Sequence, residues 1–292
     1  MRRSRTFQDY IVIGTGTIAQ RLLGALKECG LDPVFLSSRT EVFDSACTFC
    51  ERNQIGWKKM DKYGLTNFLK AINCDTLVIS AANRYLFPRA VIDNAHLYII
   101  NYHGSLLPSY PGRNSEAWCI YEGVSQGGIT WHEINERVDT GMILDQRSVE
   151  LDERSTSIKL LSKYARLAEG AFKDFLPLLI AGEWKVYPQS NGISEKDLFY
   201  SWQRPNDQIL DTNWDPEKIS RFLRAFDYGP LESLGLAKVE FNNEDYAIEK
   251  YKISRSEIPP IQCLSWAIEG AKIELIKGGF KFDLHVKALA SD

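Results

Sequence analysis

Tyr10-Ile-Val-Ile-Gly14-Thr-Gly16-Thr-Ile-Ala19 decides the fold. A short apolar run ends on a glycine, and a second glycine leads into Ile18–Cys29, a segment with the apolar spacing of a helix. A continuous apolar run followed at once by a helix reads as a buried strand with a crossover behind it. The same grammar recurs outward from this point. Pro33–Leu36 reads as a strand, and Val42–Arg52 and Leu65–Ile72 as helices. Thr76–Ser80 and Leu97–Asn101 are again short buried-type strands. Strands alternating with helices imply parallel crossovers.

The expected fold is therefore α/β, with a Rossmann-like parallel sheet in the N-terminal part. Gly128–Ile134 alternates and predicts a further strand. Thr156–Ala181 carries an apolar stripe and predicts a long amphipathic helix that Pro177 kinks or ends. The pattern changes near Pro188-Gln-Ser-Asn-Gly192, which is turn chemistry. Beyond it, Trp214–Phe226 predicts a helix in which Asp215 caps and Pro216 occupies the first turn. Strands follow at Ala237–Phe241, Tyr246–Ile253 and Lys272–Val286, the last split into a hairpin at Gly278-Gly279. This places a domain over residues 1–190 and a smaller β-rich domain over 200–292.

Composition narrows the function. The chain has 292 residues, with 25% charged and 44% hydrophobic, an ordinary balance for a protein with a core. The net charge of −3 supplies no global field toward nucleic acid or an acidic membrane. No apolar run approaches a membrane span, and Met1-Arg-Arg-Ser-Arg5 leads into a strand rather than a leader core. Six cysteines show no disulfide framework, and the single Cys47-x-x-Cys50 lacks the second pair of a zinc site. The expectation is structural thiols, no metal, and a cytoplasmic location.

Gly14-Thr-Gly16-Thr-Ile-Ala19 also fits the turn that cradles a dinucleotide. The next strand runs into Ser37-Ser38-Arg39 with no acidic residue, which would suit the 2′-phosphate of NADP. An NADP-dependent reductase is thus a rival reading, against the simpler one that the glycines only permit a tight turn.

The residues with chemistry come later. Asn101-Tyr-His103-Gly-Ser-Leu-Leu-Pro108-Ser-Tyr-Pro-Gly112 follows directly on the Leu97 strand. The carboxyl ends of strands are where open α/β sheets bind ligands. Asn101 and His103 are two apart, so they face the same way if the strand continues through them. Pro108, Pro111 and Gly112 force an irregular loop, and Asp139 stands before Thr140-Gly141. Taken singly, a histidine after a strand or an aspartate in a turn is more often structural.

Together, Asn101-x-His103, Ser105-Leu-Leu-Pro108, Gly112 and Asp139-Thr-Gly141 resemble the folate-dependent formyltransferase family. That family includes methionyl-tRNA formyltransferases, glycinamide ribonucleotide transformylases, sugar N-formyltransferases and formylation domains of peptide synthetases. The resemblance covers about residues 75–180. It implies an N-formyltransferase that takes the one-carbon group of N10-formyltetrahydrofolate, its co-substrate, to a primary amine. It implies that Asn101 donates to the developing oxyanion, that His103 lies by the amine, and that Asp139 holds His103 and takes part in proton relay. Donors aimed at developing charge are worth roughly 3 kcal/mol each. It also implies a pterin pocket made largely of backbone from two loops, with Tyr85, Leu86 and Phe87 on one and Asn135, Arg137 and Val138 on the other. A folate hydrolase and a non-catalytic folate-binding module are the alternatives of other classes.

Three acceptors compete. Residues 201–292 hold 12 Lys plus Arg against 15 Asp plus Glu, a poor face for tRNA phosphates. Gly112-Arg113 and Trp118 would suit a nucleotide-linked amino sugar, with Trp118 as a stacking platform. Gly128–His132 and Ala225–Pro230 resemble synthetase-linked formylation domains, which favours an amino acid, free or carrier-bound, as the small-molecule partner. His132 reads as an outward strand residue and is assigned no role. The C-terminal strands are candidates for shaping the acceptor site or forming a homodimer.

Overall fold

The computed structural model describes residues 1–38, 43–190, 192–231, 233–256, 263–267 and 271–289, with backbone alone for 263–267. Arg39, on which the 2′-phosphate reading leans, lies outside the described residues, as does Val42.

The chain divides into two compact units. The first comprises Met1–Gly112, Gly128–Val149 and Ser162–Leu198, and the second comprises Arg113–Gly127, Glu150–Leu161 and Phe199–Asp292. Along the chain come β1 (Arg2–Ser4), β2 (Asp9–Gly14), α1 (Gly16–Glu28), β3 (Val34–Ser37) and α2 (Ser45–Arg52). Then follow β4 (Gly56–Lys59), α3 (Lys62–Lys70), β5 (Thr76–Ala81), α4 (Arg89–Ile92), β6 (Leu97–His103) and α5 (Ser115–Glu122). Next are β7 (Gln126–Glu133), β8 (Ile143–Glu150), α6 (Ser157–Ile180) and β9 (Glu183–Lys185). The remainder holds β10 (Ile209–Leu210), α7 (Pro216–Phe226), β11 (Lys238–Phe241), β12 (Glu244–Arg255), β13 (Cys263–Ala267), β14 (Lys272–Lys277) and β15 (Phe280–Ala288).

The first unit is built on a seven-stranded sheet of order β4-β3-β2-β5-β6-β7-β8. Strands β4 through β6 pair in parallel, and β7 runs antiparallel to β6. The expected parallel sheet therefore runs from β4 to β6, and the further strand expected at Gly128–Ile134 is β7. Beyond β6, β7 and β8 extend the sheet, with β8 as its edge strand. The central strands read as unbroken apolar runs because both faces are covered: Val12, Ile13, Leu77, Val78, Ile79 and Ile100 are fully buried. Gly14 is required at its place, since a Cβ there would lie 2.3 Å from the carbonyl oxygen of Ala81 on β5. A separate two-stranded sheet joins β1 to β9, with Arg3 opposite Trp184.

Cys47 and Cys50 are buried free thiols on α2, and burial pushes Cys50 up to about 12. Helix α6 runs through Pro177 to Ile180, so Pro177 does not end it. Among the described residues, no helix is long and apolar enough to cross a membrane.

The second unit holds a six-stranded sheet of order β10-β11-β12-β15-β14-β13. Asp215 caps α7 by accepting from the Lys218 N–H, with Pro216 in the first turn. Gly278 and Gly279 both have positive φ, 54° and 78°, and turn β14 into β15.

Candidate active site

Strand β6 continues through His103, so Asn101 and His103 do share one face of the sheet. The antiparallel register sets His132 opposite Asn101 and Thr130 opposite His103. Four polar side chains thus meet on the same patch of sheet, and two loops fold over it.

The loop of residues 104–112 is tied down by Thr130. Its hydroxyl donates to Ser105 O (2.7 Å) and accepts from the Leu107 N–H (3.0 Å). Ser105 Oγ donates to Ser109 O, and the Leu107–Pro108 peptide is cis. This brings Tyr110 O to 2.9 Å from His103 Nε2. A carbonyl can only accept, which places a proton on Nε2 and turns Nδ1 toward Asp139 Oδ2, 3.4 Å away.

The second loop joins β7 to β8 and carries Asp139 in the left-handed region, with φ 56°. Gln189 holds this turn by donating to the carbonyls of Asp139 and Gly141. The Asp139 carboxylate is buried. Its Oδ2 accepts the Gly112 N–H at 2.7 Å, and its Oδ1 lies 3.5 Å from His132 Nε2. Burial works to raise its pKa, but His103, His132 and the Gly112 N–H outweigh it and hold the carboxyl well below the usual range. Asp139 is an anion between two imidazoles.

Asn101 is oriented by Ser80, whose hydroxyl donates to its Oδ1 at 2.8 Å. The amide Nδ2 then faces the cluster and lies 3.1 Å from His132 Nε2. The three residues singled out from sequence are therefore brought together. His132, expected to point outward, is instead buried in their midst, only 2% exposed. Ile129, Thr130 and Trp131 are fully buried too, so both faces of β7 are covered and its polar face carries part of the cluster. Ser80 and the Gly112 N–H were also missed, because their roles depend on strand pairing and loop closure.

The loop residues expected around a pterin separate by exposure. Tyr85 belongs to the core with Ile11, Val78 and Ile99, its hydroxyl 2.8 Å from Thr66 Oγ1, and Phe87 packs edge-on against it. Leu86 is 69% exposed and Val138 40%. Asn135 Oδ1 accepts from the Arg137 N–H and the Thr140 hydroxyl, which makes it a turn former. The Arg137 guanidinium donates to Ile193 O. Arg89, the first residue of α4, lies 3.4 Å from Glu136 on the second loop. Within the second unit, the Trp118 ring lies against Phe199 at 4.5 Å.

The glycine turn is occupied differently from a dinucleotide cradle. The Gly16 N–H donates to the buried Asp44 carboxylate (3.0 Å), which also caps α2 at Ala46 and accepts from Ser37 Oγ. A carboxylate stands where a pyrophosphate would sit at the helix N-terminus, and it would repel one. This removes the physical support for the NADP reading.

An amide, two imidazoles and a buried carboxylate thus stand together at the carboxyl end of β6, where open α/β sheets bind ligands. The formyl transferase family profile matches residues 10–176, and the chain belongs to that family. It is 29% identical over 180 residues to the GDP-perosamine N-formyltransferase of Brucella melitensis, covering 62% of this chain and 66% of that protein. It is 30% identical over 165 residues to the methionyl-tRNA formyltransferase of Pseudoalteromonas translucida, covering 56% of this chain and 50% of that one. The matches thus span less than two thirds of either relative. In fold, the N-formyltransferase of Helicobacter canadensis, solved with folinic acid and dTDP-3-aminofucose, is similar with a TM-score of 0.75. That likeness carries 17% identity, over 96% of this chain and 99% of the other.

Proposed function

We propose that this protein transfers the formyl group of N10-formyltetrahydrofolate to the primary amine of a nucleotide-linked amino sugar. The observation that carries the reading is the Asn101–His103–Asp139 cluster with its ionised carboxylate. Asn101 retains an Nδ2–H to donate to the oxyanion that forms when the amine nitrogen attacks the formyl carbon. So acidic a carboxylate is a weak base, and its role is to stabilise the imidazolium of His103 rather than to keep a proton. His103 takes the amine's proton on Nδ1, the ring nitrogen left without one and beside the Asp139 anion, and returns one to the folate N10 as the N10–carbon bond breaks, which balances the reaction. The exposed apolar side chains of Leu86 and Val138, one on each loop, fit the flat apolar faces of a pterin. All of these residues fall within residues 1–190, which we assign as the catalytic part.

The acceptor proposed here is the alternative to the amino acid favoured by sequence alone. An amino acid, free or on a carrier protein, gains no support from the relatives. The GDP-perosamine enzyme and the dTDP-3-aminofucose complex both favour the nucleotide-linked sugar. The test is to incubate the protein with N10-formyltetrahydrofolate and a panel of nucleotide-linked amino sugars, amino acids and carrier-bound aminoacyl groups. Mass spectrometry then reads the gain of one formyl group. Formylation confined to amino sugars is expected, and formylation confined to an amino acid or its carrier-bound form would refute the acceptor assignment.

A further inference from the structure

We infer that Arg3 and Tyr98 are positioning residues for the transfer site: they fix Glu133, and through the Glu133 peptide they set the tautomer and tilt of His132. The inference rests on the reading of the Asn101–His103–Asp139 cluster as that site.

The chain of contacts starts inside the cluster. His132 Nδ1 lies 2.8 Å from the backbone carbonyl of Glu133. That oxygen can only accept, so the proton sits on Nδ1 and Nε2 is the atom presented to Asn101 and Asp139. One backbone oxygen therefore decides how His132 meets two residues of the proposed chemistry. The groups around the ring are the Asn101 amide on β6, the Asp139 carboxylate on the loop, and the Glu133 peptide itself.

The peptide is held from several sides. Glu133 N–H donates to Met142 O, and Ile134 N–H to Ile99 O. Gly141 presses on the carbonyl so closely that a Cβ there would lie 1.7 Å from it. The Glu133 side chain completes the hold. Its carboxylate is buried at the end of β7 and receives three donors. Arg3 gives Nε and Nη2, each at 2.8 Å, and the Tyr98 hydroxyl gives a third at 2.8 Å. Tyr98 Oη in turn accepts the Trp184 indole N–H at 2.8 Å. A fork-to-fork Arg–carboxylate pair with a third donor constrains position and angle together, which is what an outer support of an imidazole requires.

Arg3 lies on β1, which pairs with β9 and not with the seven-stranded sheet. Its side chain can be changed without breaking a ladder of the central sheet. The variants are Arg3→Ala, Arg3→Lys and Tyr98→Phe, the last removing one donor at nearly constant volume. Two readouts are taken on each: the ring-nitrogen chemical shifts of His132 by NMR, and kcat and KM for formyl transfer. For Arg3→Ala, the His132 shifts should move toward a lower population of the Nδ1–H tautomer. Its kcat should fall about tenfold with the folate KM within about twofold. Arg3→Lys should restore part of both, and Tyr98→Phe should move both in the same direction as Arg3→Ala. Unmoved His132 shifts in Arg3→Ala and Tyr98→Phe would overturn the inference, whatever happens to kcat. If the wild type transfers formyl to no amine, the proposed function fails, while the NMR shifts still decide whether Arg3 and Tyr98 set His132.

Discussion

Replacing Asp139 by asparagine isolates the charge at the centre of the site. Asparagine is nearly isosteric, tolerates the φ of 56° at this position, and keeps an oxygen to accept the Gly112 N–H. What it removes is the anion 3.4 Å from His103 and 3.5 Å from His132. A charge-assisted contact of this kind is worth about 1.5–3 kcal/mol, or roughly 10- to 150-fold for one imidazolium. A wrong histidine tautomer takes such losses to about 10⁴-fold. The expected result is a fall in kcat of about 10²–10⁴-fold with the folate KM within about twofold, read from the rate of product formation by mass spectrometry. A kcat within about threefold of wild type, in a variant with an unchanged circular dichroism spectrum, would refute the reasoning. Stability supplies a second readout with a definite sign. The folded pKa of Asp139 is depressed, so its contribution is complete above the unfolded carboxylate pKa of about 3.9 and is lost as pH falls through the folded value. Below about pH 4 the wild type should therefore lose Tm more steeply than Asp139→Asn.

Other perturbations test separate parts of the structure. Leu86→Ser removes an exposed apolar side chain from the proposed pterin loop. The folate KM should rise about 3- to 10-fold, with Tm unchanged within about 1 °C; an unchanged KM would exclude Leu86 from the pocket. Gly141→Ala places a Cβ against the Glu133 carbonyl and should cost about 3 kcal/mol in urea unfolding, with loss of activity; a cost below about 0.5 kcal/mol would contradict this packing. Asp215→Ala removes the cap of α7 and should cost about 1 kcal/mol in the same assay.

Much of the first unit could be read from the chain because its central strands are buried on both faces. Unbroken apolar runs such as Leu77-Val-Ile79 stand out without any tertiary information. Edge strands carry no such mark. Strand β4 is Gly-Trp-Lys-Lys, and β1 is Arg-Arg-Ser, so neither presents an apolar run to detect. Helix α2 begins at Ser45, where the Asp44 carboxylate caps it by accepting the Ala46 N–H. The same contrast governs the site. Asn101 and His103 are two residues apart on one strand, and strand parity settles their common direction locally. His132 depends on the β6–β7 register and on two loops that cover the polar face of β7. Alternation along β7 shows that Thr130 and His132 share a face, but not that the face is buried. The loop proposed for a pterin is legible only in part, because side-chain direction at Tyr85, Leu86 and Phe87 follows from how Tyr85 and Phe87 pack into the core with Ile11, Val78 and Ile99.

The decisive experiment is calorimetric titration of the protein with folinic acid, a stable formylated folate, and in parallel with NADP. Saturable binding of folinic acid is expected, weakened in Leu86→Ser, with no heat from NADP because Asp44 occupies the glycine turn. Binding of NADP without binding of folinic acid would contradict the placement of the chemistry at Asn101, His103 and Asp139.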